Sequence, residues 1–271
     1  MTTTADAAGR YRPVRYRAAR DSWLIAGRNL RVLRKNPARL VYPLIQPLVL
    51  LVMFVSVFGN LALTGRGVPG GVSYREFLIP GIIIENAALT APTTGLALLR
   101  DASSGLADRF RSLPMSRAAV FAGRLASDAV VFIVQAALLI GGGYLLGFRV
   151  QAGLPGAAAV IAVAVSFALA VAVASAWLAL LINDSEAAER VLFFPAIALA
   201  FVSSAFAPVA LLAGWMQPIA RANPVTAAAA VIRSVAGGGG VAVPLLELAC
   251  WVAALILVPG YFAVRRWQSP A

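Results

Sequence analysis

The chain has 271 residues, of which 61% are hydrophobic and 13% charged, whereas soluble domains run about 45–50% apolar and about 25% charged; this is the balance of a membrane protein, with little room for a separate soluble domain. The net charge of +12 does not mark a nucleic-acid binder, because the basic residues sit in the N-terminal tail and in short loops between apolar spans, where orientation signals lie. With no histidine and a single cysteine, Cys250, an intrachain disulfide is excluded and a zinc site, a Ser-His-Asp triad or a Cys-His pair is argued against; Cys250, inside an apolar span, is expected to be a small core residue.

Residues 1–38 are basic, contain no long apolar run and show no small-residue cleavage site, so the tail is expected to be retained. Trp23, Ala26, Leu30 and Leu33 follow helical spacing, with Arg20, Arg28, Arg31, Arg34 and Lys35 largely off that stripe. The pattern predicts an amphipathic helix lying on the membrane surface, with a frayed basic tail as the alternative. Six apolar segments follow, at roughly 40–58, 77–98, 119–146, 157–182, 191–213 and 244–264. Pro43 and Pro47 predict a kink near the start of the first. The membrane domain is therefore expected over 40–264, with a short tail over 265–271.

With the N-terminus placed inside, 18 of the 23 basic residues fall on the inner side, a strong positive-inside bias that puts both termini in the cytoplasm. The even span count depends on the stretch after the fifth segment. There Phe206-Ala207-Pro208, Trp215-Met216-Gln217-Pro218 and Asn223-Pro224-Val225-Thr226 interrupt a moderately apolar run ending at Arg233. Two short half-helices dipping back from the outer face fit this better than a seventh span. Such irregular backbone is tolerated only inside protein or beside a water-filled cavity.

Polar residues inside spans are costly and usually face a bundle interior or cavity. Gln46, Glu85, Asn86 and Gln135 are the candidates for transport. Glu85, about nine residues into the second span, is either a proton or cation site or a structural or cavity-lining carboxylate. Asp128 and Glu247, near span ends, are expected to reach the interface. Glycines 141–143 predict a close helix contact rather than a binding loop.

The connection between the second and third spans, Arg100 to Arg124, is the most informative segment. Leu106, Phe110 and Leu113 form a short apolar stripe at i, i+4 and i+7, with Asp101, Asp108, Arg109 and Arg111 around it. A short amphipathic helix here either lies on lipid headgroups or docks a soluble partner. The run Gly105-x-x-Asp108-Arg109-x-Arg111-Ser112-Leu113-Pro114-x-Ser116-Arg117-x-Ala119-Val120, with Gly123-Arg124, resembles the cytoplasmic signature of ABC-2 type transporter permeases, in particular daunorubicin-resistance-type exporter subunits. Asn223-Pro224-x-Thr226 with Arg233, and the terminal Arg265-Arg266, resemble the same family, so the likeness covers nearly the whole chain. Ser103 departs from it, standing where the family often has glutamate.

The resemblance implies an all-α, six-span membrane domain with an N-terminal interfacial helix and an extracellular re-entrant helical element before the last span. It implies a multi-pass subunit of a bacterial cell membrane. Its partners would be two copies of a separate ATPase chain and a second permease subunit, identical or homologous, within membrane lipid. This chain has no Gly-x-x-x-x-Gly-Lys-Ser/Thr phosphate cradle, and its sole lysine is Lys35. ATP and magnesium are accordingly expected on the partner, with no cofactor and no catalysis in this chain. Residues 101–115 would be the docking helix, with Asp101, Leu106, Asp108, Arg109, Phe110, Arg111 and Leu113 as its contacts. The cargo implied is a hydrophobic or amphipathic compound, such as a drug, a secondary metabolite or a lipid, moved outward. The rivals are a proton-coupled secondary transporter using Glu85, which is expected to show internally repeated halves, and a membrane-embedded enzyme, for which no nucleophile constellation is present.

Overall fold

The computed structural model describes residue 27 and residues 38–58, 73–103, 117–182 and 184–268. Among the described residues the structure is all helical, with no strand. In chain order the α-helices are α1 (Ala38–Phe58), α2 (Tyr74–Thr90), α3 (Pro92–Ser103), α4 (Arg117–Leu145), α5 (Gly153–Leu180), α6 (Ser185–Phe201), α7 (Met216–Arg221), α8 (Pro224–Gly237) and α9 (Ala242–Gln268). Four stretches are long and apolar enough to cross a membrane: Tyr74–Arg100, Phe121–Leu145, Gly153–Ala179 and Ala242–Tyr261. Leu44–Val57 and Pro224–Gly237 are shorter apolar helices. The expected N-terminal interfacial helix and Leu106–Leu113 lie outside the described residues. The end of the bundle that carries connection 104–116 is termed proximal, and the end beside Ser73 and Gln151 distal.

Helix α5 contains no charged residue, so nothing on it resists immersion. Val160, Ala164, Ala168, Ala172 and Ala176, spaced by four, are all buried. Small side chains on one helical stripe let neighbouring backbones approach closely. At Gly95 of α3 the approach is so close that a Cβ would collide with the Ser175 carbonyl of α5. The largest core gathers α2, α4, α5 and α8 around Leu78, Ile82, Phe132, Phe167 and Ile232. A smaller separate core joins α3 to the proximal ends of α5 and α6 through Leu96, Leu99, Ala179, Ala188 and Leu192. Gly143 is buried under Ile79 and Gly142 sits beside Leu48, so two of the three glycines expected to allow close contact do so.

Three departures from the sequence reading have clear causes. The second span is not one helix: α2 ends at Thr90 and α3 starts at Pro92. Pro92 has no N–H to continue the ladder, and the Thr93 hydroxyl takes up the Thr90 carbonyl at 2.7 Å. The segment expected over 191–213 instead starts at Ser185 and ends at Phe201. Asp184 caps its start, accepting from Glu186 N and Ala187 N at 3.3 and 3.0 Å. Finally, Cys250 is exposed on α9 rather than in the core, because that part of α9 turns few residues inward. The first helix runs through both Pro43 and Pro47.

Candidate functional site

The segment Val202–Phe206 is non-helical, yet residues 203–205 are buried. Buried backbone polar groups need partners, and here side chains supply them. Asn223 Nδ2 donates to the carbonyls of Leu199 and Val202 at 2.8 and 2.7 Å. The Thr226 hydroxyl accepts from Ser204 N at 2.9 Å, and the Ser203 hydroxyl from Ala205 N at 3.0 Å. The Tyr74 hydroxyl donates to the Phe206 carbonyl at 3.0 Å. Arg233 reaches most widely. Its Nη2 donates to the Ser204 carbonyl at 2.6 Å, its Nη1 to the Ser204 hydroxyl and its Nε to the Phe77 carbonyl, both at 3.0 Å. Its guanidinium also lies 3.7 Å from the centroid of the Phe77 ring, a cation–π contact.

Helix α8 is built to present these groups. Asn223 is its N-cap, accepting from Val225 N at 2.8 Å, and Pro224 occupies the first turn, where a missing N–H costs nothing. Gly238 ends the helix at φ 68°, in the left-handed region. On the facing helix, a Cβ at Gly81 would collide with the Ala205 carbonyl, so only glycine lets α2 lie against the segment. The structure thus brings together Asn223, Pro224, Thr226 and Arg233, the four distal residues singled out from sequence. The partners Tyr74, Phe77, Gly81, Ser203 and Ser204 were not singled out; Gly81 and the Ser203-Ser204 pair, small or polar residues inside apolar runs, were the available signal.

A second polar constellation runs between the broken span and α4. Asn86 Nδ2 donates to Gln135 Oε1 at 3.4 Å, and the Thr90 hydroxyl lies 3.5 Å from Asn86 Oδ1, the long end of hydrogen bonding. Nearer the proximal end the Thr94 hydroxyl donates to Asp128 Oδ2 at 2.8 Å. Arg124 Nε donates to the same oxygen at 3.0 Å. Asn86 and Thr90 are spaced by four on α2 and Asp128 and Gln135 by seven on α4, which puts each pair on one helix face; Thr94 follows on α3. Asp128, expected simply to reach the interface, is part of this seam.

Glu85 is 1% exposed, and neither carboxylate oxygen has a hydrogen-bond partner among the described residues; nor has Gln135 Nε2. The fourth candidate, Gln46, does not join them: it is exposed on α1. Asp101 lies in the last turn of α3, and Leu106, Asp108, Arg109, Phe110, Arg111 and Leu113 lie outside the described residues. The outer face of α6 is exposed from Glu186, Glu189 and Arg190 to Phe194 and Ile197, charged at its proximal end and apolar beyond it. No cluster of metal-ligating side chains occurs among the described residues.

The family model described as ABC-2 type transporter matches residues 20–236. The chain is 28% identical over 258 residues to the daunorubicin resistance ABC transporter permease protein DrrB1 of Streptomyces coeruleorubidus, covering 95% of this chain and 89% of that one. It is 32% identical over 216 residues to the Probable doxorubicin resistance ABC transporter permease protein DrrC of Mycobacterium tuberculosis, covering 79% and 76%. The chain belongs to the ABC-2 type transporter family.

Proposed function

We propose that this member of the ABC-2 type transporter family is the permease subunit of an ATP-driven exporter, moving a hydrophobic or amphipathic compound outward across a bacterial cell membrane. The observation that carries the reading is the match to drug-resistance permeases over most of the chain. In this reading α1, α2–α3, α4, α5, α6 and α9 cross the membrane, and α7 and α8 form an outer re-entrant element. Both termini are cytoplasmic in this reading, which the basic-residue bias supports.

Energy comes from a separate ATPase, two copies per complex, that binds ATP and magnesium. It docks on residues 101–115, with Phe110 and Leu113 as apolar anchors and Arg109 and Arg111, beside Asp101, Leu106 and Asp108, around them. A second permease subunit, identical or homologous, completes the pathway. The test is uptake of daunorubicin by inside-out vesicles holding the chain and its ATPase. Uptake should require ATP, stop with a phosphate-cradle-deficient ATPase and be lost in Phe110→Asp. The buried Glu85, without a hydrogen-bond partner among the described residues, favours one rival, proton coupling. Uptake that ignores ATP but collapses with the proton gradient would establish that rival instead.

A further inference from the structure

The two helices that bracket connection 104–116, α3 before it and α4 after it, barely touch each other. Each is instead packed against α5. On the α3 side that packing is fixed: the Gly95 backbone sits against the Ser175 carbonyl with no room for even a methyl group, and Leu96 and Leu99 are buried with Ala179, Ala188 and Leu192. Above α3, the helix is interrupted at Ala91–Pro92. The side-chain hydrogen bond that joins α3 to α4 is therefore informative. It runs from the Thr94 hydroxyl to Asp128 Oδ2 at 2.8 Å, and Arg124 holds the same oxygen at 3.0 Å from one turn away on α4. The Asp128 side chain is 15% and the Arg124 side chain 25% exposed, so water screens the group little. A carboxylate held by two donors is fixed in orientation, and a charged acceptor makes a stronger bond than a neutral one.

We propose that Asp128 is a positioning residue for transport: by clasping Thr94 it fixes the splay of α3 and α4, and so the placement of the docking connection that these helices carry. The inference rests on the exporter reading for its function, but the clasp can be tested apart from it. Arg124 has the supporting role of turning the Asp128 carboxylate toward Thr94. The hydroxyl of Thr94 is the essential atom, and its methyl group is dispensable.

The decisive measurement is the distance between spin labels at Ala102→Cys and Ala118→Cys, in a Cys250→Ser background, with the full chain in lipid nanodiscs. With Thr94 present the distribution should be narrow. Thr94→Val, which keeps the shape and removes the donor, should broaden it, and Thr94→Ser should narrow it again. Identical distributions in the parent and in Thr94→Val overturn the inference. A second arm uses the chain with its ATPase and daunorubicin as the probe. Thr94→Val should lower daunorubicin moved per ATP hydrolysed by about fivefold, the effect of one hydrogen bond, with ATP hydrolysis kept and Thr94→Ser restoring the ratio. A loss that follows thermal stability and is not restored by serine overturns the positioning role. A parent chain that moves no daunorubicin with ATP overturns the exporter reading and leaves the distance measurement to decide the clasp.

Discussion

The distal and proximal ends of the broken span are secured by opposite means. At the distal end, α2 is pinned to the Val202–Phe206 segment and α8 by many contacts, in which Asn223, Thr226, Arg233 and Tyr74 capture backbone atoms. At the proximal end, α3 meets α4 through the Thr94–Asp128 bond, and it is held to α5 and α6 by apolar packing and to α6 by the exposed Arg100–Glu189 pair. Backbone atoms cannot move without moving the fold, whereas one hydroxyl can let go. The distal end is thus a frame of captured backbone, and at the proximal end one side-chain bond joins α3 to α4, on the side of connection 104–116.

Substitutions can break this comparison, and the largest effect is expected at Arg233. Arg233→Ala leaves the Ser204 carbonyl, the Ser204 hydroxyl and the Phe77 ring without the guanidinium. At about 1–3 kcal/mol for each buried group left unmade, a loss of roughly 3 kcal/mol or more is expected in thermal or denaturant unfolding of the chain in detergent. Arg233→Lys should recover little of it, since an ammonium cannot reproduce the planar fork. Asn223→Ala removes a helix cap and frees two carbonyls, for about 2 kcal/mol by the same measurement. Thr226→Val deletes the acceptor for Ser204 N and should cost about 1 kcal/mol. If these three prove as mild as a surface change, the distal end is not a frame. The surface reference is Arg190→Ala, which breaks the exposed pair with Glu186; roughly 0.3–0.5 kcal/mol is the ceiling for such a helix pair. Glu85→Gln should cost nothing measurable, because no donor holds that carboxylate among the described residues; a clear loss of stability, or of ATP-driven uptake with stability kept, would reveal a partner or a role in transport.

Much of this arrangement was legible from the chain itself. Hydropathy located the long helices, and Asn223-Pro224-x-Thr226 with Arg233 marked residues that the distal frame uses. Asn86 and Gln135 were found as buried polar residues and are bonded to each other. What escaped was whatever hydropathy does not encode. Val202-Ser203-Ser204-Ala205-Phe206 is apolar enough to extend a span, but hydropathy is blind to whether a backbone carbonyl is bonded along the helix or by a distant arginine. The break before Pro92 was present in Thr90-Ala91-Pro92-Thr93-Thr94 and was masked by the apolar residues on both sides. Gln46 looked like Gln135, because burial depends on which helix faces a neighbour and not on residue type.

The wiring of Val202–Phe206 also has a consequence for how the protein is made. Helix α6 closes most of its own hydrogen bonds, but the segment after it waits for residues 21 to 29 positions further on, Asn223 for the Val202 carbonyl and Arg233 for Ser204. At roughly 5–20 residues per second of synthesis, those two carbonyls wait about one to several seconds for these side chains. During that interval water must serve them, so the segment has to remain at the aqueous mouth of the insertion machinery until α8 is complete. Insertion of this part of the chain is then a single late event, and a stop codon or ribosome pause between Phe206 and Arg233 would strand an unfinished end in the membrane.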